Sequence, residues 1–201
     1  MKPLFLIGVA VCLFASGCDS KNPLSDPKTS KADERLIGIW RDRSDGDVYY
    51  HVGHAGDKFP ASIMRGVGVK YSKGTLEPPF EFLLFPTVLG DKSYLNVVVG
   101  TDEKPIKNLD DNGWKAANVP SYMLYKYKFD GDKLLVYGID EEVKRKAINS
   151  GKVKGVAEPN KPVMFTDTTD NVARFVLDAG DSLWDTKKSG QLQRVNLGEK
   201  P

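Results

Sequence analysis

Met123-Leu124-Tyr125-Lys126-Tyr127-Lys128-Phe129-Asp130-Gly131-Asp132-Lys133-Leu134-Leu135-Val136-Tyr137 reads as a β-hairpin. Met123, Tyr125, Tyr127 and Phe129 alternate with Leu124, Lys126 and Lys128, the period of two that sends successive side chains to opposite faces of a strand. Asp130-Gly131 then marks a reversal into residues 133–137, because Gly accepts the positive φ of a tight turn without the steric penalty of a Cβ. The odd-numbered aromatic face is expected to point inward and the lysines into water.

Outward from this hairpin, the same period recurs. Val48, Tyr50 and Val52 share a face opposite Tyr49 and His51; Ile63, Val67, Val69 and Tyr71 share a face with Arg65, with Gly66 and Gly68 between them allowing a bulge or a close backbone approach. Residues 80–85 and 94–99 are short apolar runs, the second rich in Val and expected to be buried on both sides. Asp140 can cap a helix over residues 141–149 ended by Gly151. After a strand at 163–165, Thr169 can cap a second helix in which Val172, Phe175, Val176 and Ala179 keep helical spacing as far as Gly180. A last strand is predicted over residues 191–197. The sequence is therefore mainly β, and predicts an antiparallel barrel with one or two short helices in the C-terminal half; an α+β open sheet is the alternative.

The folded part opens on Leu36-Ile37-Gly38-Ile39-Trp40-Arg41, and Arg194 lies near its end. Gly38-Ile39-Trp40 resembles the Gly-x-Trp of lipocalins. That resemblance implies a barrel of calycin type in which Trp40 packs across the closed end and Arg194, from the last strand, covers it. The lipocalin Thr-Asp-Tyr motif is missing, its nearest match being Thr166-Asp167-Thr168.

At the other extreme of the chain, Lys2 precedes an apolar run over residues 4–14, too short to span a membrane and of the length of a signal-peptide core. Leu13-Phe14-Ala15-Ser16-Gly17-Cys18 closes it and resembles the lipobox of bacterial lipoproteins. The resemblance implies removal of residues 1–17 and acylation at Cys18, and two or three chains at about 0.8 kcal/mol per buried CH₂ anchor stably. Asp19, the next residue, resembles the inner-membrane retention signal of enterobacterial lipoproteins, so a periplasm-facing address in the cell envelope is expected, with the inner membrane favoured. Asp19 to Arg35 is polar, with Pro23 and Pro27, and reads as a flexible tether holding the body about 20 to 25 Å from the lipid. The expected organisation is a signal peptide at 1–17, lipidated Cys and tether at 18–35, and one β-rich barrel domain at 36–201.

Composition narrows the function. The net charge is +2, and removing the leader takes away only Lys2, so charge gives no case for a nucleic-acid partner. Cys12 lies in the leader, which leaves Cys18 as the one cysteine of the processed chain and excludes disulfides and cysteine metal sites. His51 and His54, with Asp47 or Asp57, invite a metal reading, but residues three apart on a regular strand face opposite ways. No metal or cofactor is predicted.

No nucleophile elbow, P-loop or zinc-protease motif is present, and nothing selects scattered carboxylates such as Glu77, Glu81 and Asp91 as catalytic. Lys144-Arg145-Lys146 reads as a solvated helix face or a patch for anionic lipid. Arg65 interrupts an apolar face. Inside a barrel it would hold a carboxylate or phosphate between Tyr125 and Tyr127; turned outward, it would pair with an acid such as Glu81. The sequence thus predicts a non-enzymatic envelope lipoprotein binding a small apolar or amphipathic ligand, with Arg65, Tyr125 and Tyr127 as ligand residues. The alternative is an interaction protein docking an envelope partner.

Overall fold

The computed structural model describes residues 19–44, 47–72, 74–99, 106, 109, 114–115, 118–159 and 161–196. Cys18 and the predicted leader lie outside them. Eight antiparallel strands close into an up-and-down barrel: β1 (Gly38–Asp42), β2 (Asp47–His54), β3 (Met64–Ser72), β5 (Phe80–Leu89), β6 (Lys92–Val99), β7 (Met123–Asp130), β8 (Lys133–Ile139) and β11 (Trp184–Arg194). Neighbours in sequence are neighbours in space, β2 pairing β3 over residues 47–54, and the ring is shut by β1 pairing the last strand β11 with Trp40 opposite Arg194. Closure leaves no long sheet edge open. The two-residue β4 (Thr75–Leu76) only extends the end of β3.

The hairpin at 123–139 turns at Gly131, whose φ is +60°, and keeps continuous register from Asp130 opposite Lys133 to Tyr125 opposite Gly138. All eight barrel strands send side chains into one buried interior cluster: Trp40, Tyr50, Met64, Phe82, Leu95, Tyr125, Leu134 and Leu192 are among them. The last strand runs from Trp184, seven residues ahead of its expected start, and its pairing with β8 is interrupted between Trp184 and Ser189.

A second core lies outside the barrel wall. Helix α1 (Glu141–Asn149), the small hairpin of β9 (Gly155–Val156) and β10 (Met164–Phe165), and helix α2 (Thr169–Ala179) cover β5, β6 and β7. Leu83, Phe85, Tyr94, Val98 and Leu124 from the strands meet Ala147, Phe165, Val172, Phe175 and Val176 there. This is why Tyr94, Leu95, Asn96, Val97 and Val98 are all buried: β6 has core on both faces. Asp140 caps α1, accepting from the amides of Glu142 and Val143; α2 is capped by Thr168, one residue before the Thr expected from sequence.

Residues 19–35, expected as a free tether, are part of the fold. Ser20 bridges Tyr122 and Phe165, and Asp19, Ser20 and Leu24 are buried. The cause is a set of polar partners that the outer wall supplies: Asn96 accepts from the Leu24 amide at 2.7 Å, and Ser25 and Thr87 share a hydroxyl–hydroxyl bond of 2.5 Å. Among the described residues, the packed body therefore takes in Asp19 to Arg35 as well as the chain from Leu36 onward.

Candidate functional site

One end of the barrel is sealed by a compact set of residues. Asp33 caps a 3-10 turn, Glu34–Leu36, that lays Leu36 across the interior. Trp40 is 1% exposed and its indole donates to the Leu36 carbonyl at 2.8 Å. Arg194 lies over the Trp40 ring with its guanidinium carbon 4.3 Å from the ring centre and donates to the carbonyls of Ile37 and Arg35. Gly38 has φ +135°, and a Cβ there would stand 2.7 Å from the Arg194 guanidinium, so the glycine makes room for the arginine. A cation as half-exposed as Arg194 over an indole contributes about 1 kcal/mol. Gly38, Trp40 and Arg194 thus lie together at this end of the barrel.

Above this seal the interior holds a cavity of about 70 Å³ whose walls are entirely apolar or aromatic, Trp40, Tyr50, Phe82, Leu95, Tyr125 and Leu134 among them. Tyr125 faces it, with its hydroxyl turned to the Met123 sulfur at 3.2 Å. Tyr127 is also inside the barrel, but its hydroxyl donates to Asp33 at 2.9 Å and it belongs to the seal, not to the cavity wall. Burial and the neighbouring carboxylate push the Tyr127 hydroxyl pKa up. At Asp33 burial pulls upward, yet the hydrogen bonds from Arg35 and Tyr127 hold the carboxyl below its usual range.

Arg65 is not in the barrel. Met64, Gly66 and Gly68 point inward on β3, while Arg65 faces out and pairs with Glu81 at 3.1 Å. The physical reason is aromatic crowding from the neighbouring strand. A Cβ at Gly66 would lie 2.0 Å from the Phe82 ring and one at Gly68 2.2 Å from the Phe80 ring, so these inward positions accept only glycine. A ligand role for Arg65 inside the barrel is thereby excluded.

The other polar candidates also separate. His51 is exposed, and His54, at the end of β2, reaches Glu34 at 3.4 Å. Among the described residues no group of three or more His, Cys, Asp or Glu side chains comes together to hold a metal ion. Glu77, Glu81 and Asp91 are all exposed. No helix among the described residues is long and apolar enough to cross a membrane.

The basic triplet does not form one solvated face. Lys144 is buried, and its ammonium meets the Asp19 carboxylate at 2.5 Å with both side chains 5% exposed. The second Asp19 oxygen accepts from the Leu124 amide at 3.1 Å. Burial pushes the Asp19 carboxyl up against the pull of the Lys144 charge and these hydrogen bonds. Arg145 instead donates to the Ala157 carbonyl and to Glu141, and Lys146 lines a groove of about 900 Å³ between α1 and α2. Sequence spacing offers one hint of this split, since three consecutive helical residues are spread over about 200° of the helix and do not share a face. Nothing local pairs Asp19 with a lysine 125 positions away.

The eight-stranded barrel is consistent with a lipocalin-like, calycin-type architecture. In comparisons with family models, curated proteins and solved structures, the chain matches no family model, no curated protein and no solved structure.

Proposed function

We propose that this chain is a lipid-anchored protein of the bacterial envelope, acylated at Cys18, whose barrel takes up a small apolar ligand without catalysing a reaction. The observation that carries the ligand reading is the wholly apolar cavity above the Trp40–Arg194 seal. An apolar lining of this kind offers water no hydrogen-bond partners and favours an apolar guest. Its size limits that guest: about 70 Å³ is less than half of the roughly 150 Å³ that accepts benzene in an engineered cavity. The ligand is therefore slim, such as the end of a saturated acyl chain, and a larger one enters only by moving wall side chains such as Tyr125.

The ligand reading is tested on the Cys18→Ser chain, purified gently and titrated with decanoate while native mass spectrometry follows the complex. One bound decanoate, held by the end of its chain in the cavity, is expected, and Val136→Phe, which fills the cavity from its wall, is expected to abolish it. Equal decanoate binding by both chains overturns the cavity as the site. The anchor reading is tested by fractionation: Cys18→Ser should move from the membrane to the soluble fraction, and a variant as membrane-bound as the parent refutes acylation as the anchor.

A second reading, docking of an envelope partner, is favoured by the groove between α1 and α2. Val143, Ala147, Phe175 and Ala179 form its apolar part, and Lys146, Lys152 and Arg174 outnumber Asp167 and Asp178 among its charged lining residues. Capture of an acidic amphipathic segment there, lost on Lys146→Glu with Arg174→Glu, would move the function from the barrel to this groove.

A further inference from the structure

Asp19 and Ser20 are fixed to the fold from both sides. Their amides both donate to the Tyr122 carbonyl, at 2.9 and 3.0 Å, and Tyr122 donates back to Ser20 at 2.7 Å. The Phe165 amide donates to the Asp19 carbonyl and the Lys21 amide to the Phe165 carbonyl, each at 2.8 Å. With the buried Lys144 pair added, Asp19 is 3% and Ser20 0% exposed. Cys18 is the residue covalently joined to Asp19, and consecutive Cα atoms stand about 3.8 Å apart. A lipid carried on Cys18 thus begins within one residue of the packed interior.

From this we propose that the body sits directly on the bilayer in one orientation, with the barrel end that carries Tyr122 and Met123 toward the lipid and the Trp40–Arg194 seal away from it. The inference rests on the anchor reading above. Acyl chains attached at Cys18 must enter the hydrocarbon, and no tether lies between them and the fold, so the surface around Asp19 lies at headgroup level. The direction follows from topology. β7 starts at Met123 beside the Asp19–Tyr122 contact and runs to Phe129, whose ring packs against Trp40 with centres 6.1 Å apart. At about 3.4 Å per residue, shortened by strand tilt, the sealed end stands about 15 Å farther from the lipid.

The test uses the full chain, processed and acylated in cells and reconstituted into phosphatidylethanolamine–phosphatidylglycerol vesicles carrying a headgroup spin label. Cys18 is blocked by its lipid, so a single added thiol takes a fluorophore specifically. Lys21→Cys, exposed two residues from Asp19 beside Pro120, reports the near end, and Lys128→Cys, exposed late on β7, reports the far end. Quenching by the headgroup label is expected to be several-fold stronger at position 21 than at 128.

A ten-residue Gly/Ser insertion between Cys18 and Asp19, reaching about 17 Å, is expected to bring the two to the same low level without touching the fold. Equal quenching at both positions in the parent chain overturns the orientation, as does a difference that survives the insertion. The acyl mass on Cys18 separates the two claims: its absence sinks the anchor reading and this inference together, whereas an acylated chain with equal quenching sinks the inference alone.

Discussion

Arg194 and Gly66 show how single residues close and fill this barrel. Arg194→Ala removes the cation over Trp40 and leaves the Ile37 and Arg35 carbonyls without their donor. A loss of about 2 to 3 kcal/mol in urea unfolding is expected, with a red shift of tryptophan emission as water reaches the indole. Gly66→Ala drives a methyl into the Phe82 ring and should cost about 1 to 3 kcal/mol. Gly53→Ala on β2 meets nothing within 4 Å and should change stability by less than about 0.5 kcal/mol, so equal costs for the two substitutions would refute the crowding account. The Gly66–Gly68 pair also explains why the inward face of β3 differs from the one its apolar residues predict. Val67, Val69 and Tyr71 are the larger apolar residues, and sequence alone assigns them to the core, whereas the inward space beside β3 is already taken by rings from β5.

Among the elements, the N-terminal segment depends most on its partners. Its docking runs through Asn96, which accepts from the Leu24 amide and donates to the Phe85 carbonyl and the Thr87 hydroxyl, all in buried surroundings. Asn96→Ala leaves the Leu24 amide buried and unsatisfied, at a cost of about 1 to 3 kcal/mol. Hydrogen exchange should then quicken at Leu24 while the β7–β8 amides keep their protection. Lys144→Met tests the other hold: a lone buried Asp19 carboxylate should destabilise the chain by about 3 to 5 kcal/mol, and pairing it with Asp19→Leu should recover much of that loss. If Lys144→Met unfolds no more easily than the parent, the pair does not hold the segment.

The whole molecule should weaken in acid. Asp181 accepts from Lys126 and Lys92, which hold its carboxyl at about 2 instead of 3.8. Asp167 is lowered by the Asn171 side chain and the Lys154 and Thr168 amides, and Asp33 is lowered at the barrel seal. A carboxyl held below its unfolded value contributes stability that is full above that value and is lost as pH falls through the folded one. The urea midpoint is therefore expected to stay level from neutrality to about pH 5 and to drop between about pH 4 and 2. Asp19, raised by burial, works in the opposite sense and softens the drop. A midpoint unchanged down to pH 3 would show that these contacts are not formed in solution. Asp181→Asn should remove part of the dependence.

Local chemistry made much of the barrel legible in the sequence. Alternation sets which residues of β7 point inward, Asp130-Gly131 sets its turn and Asp140 starts α1. Each of these is decided by neighbours within a few positions or by a residue type with one conformational use. Tertiary structure alone decided which way β3 faces, where Lys144 goes and whether residues 19–35 hang free or pack, because each depends on a partner far along the chain. Phe82 excludes a side chain at Gly66, Asp19 draws Lys144 under the helix, and Asn96 gives a polar, proline-bearing segment the hydrogen bonds that make its burial favourable.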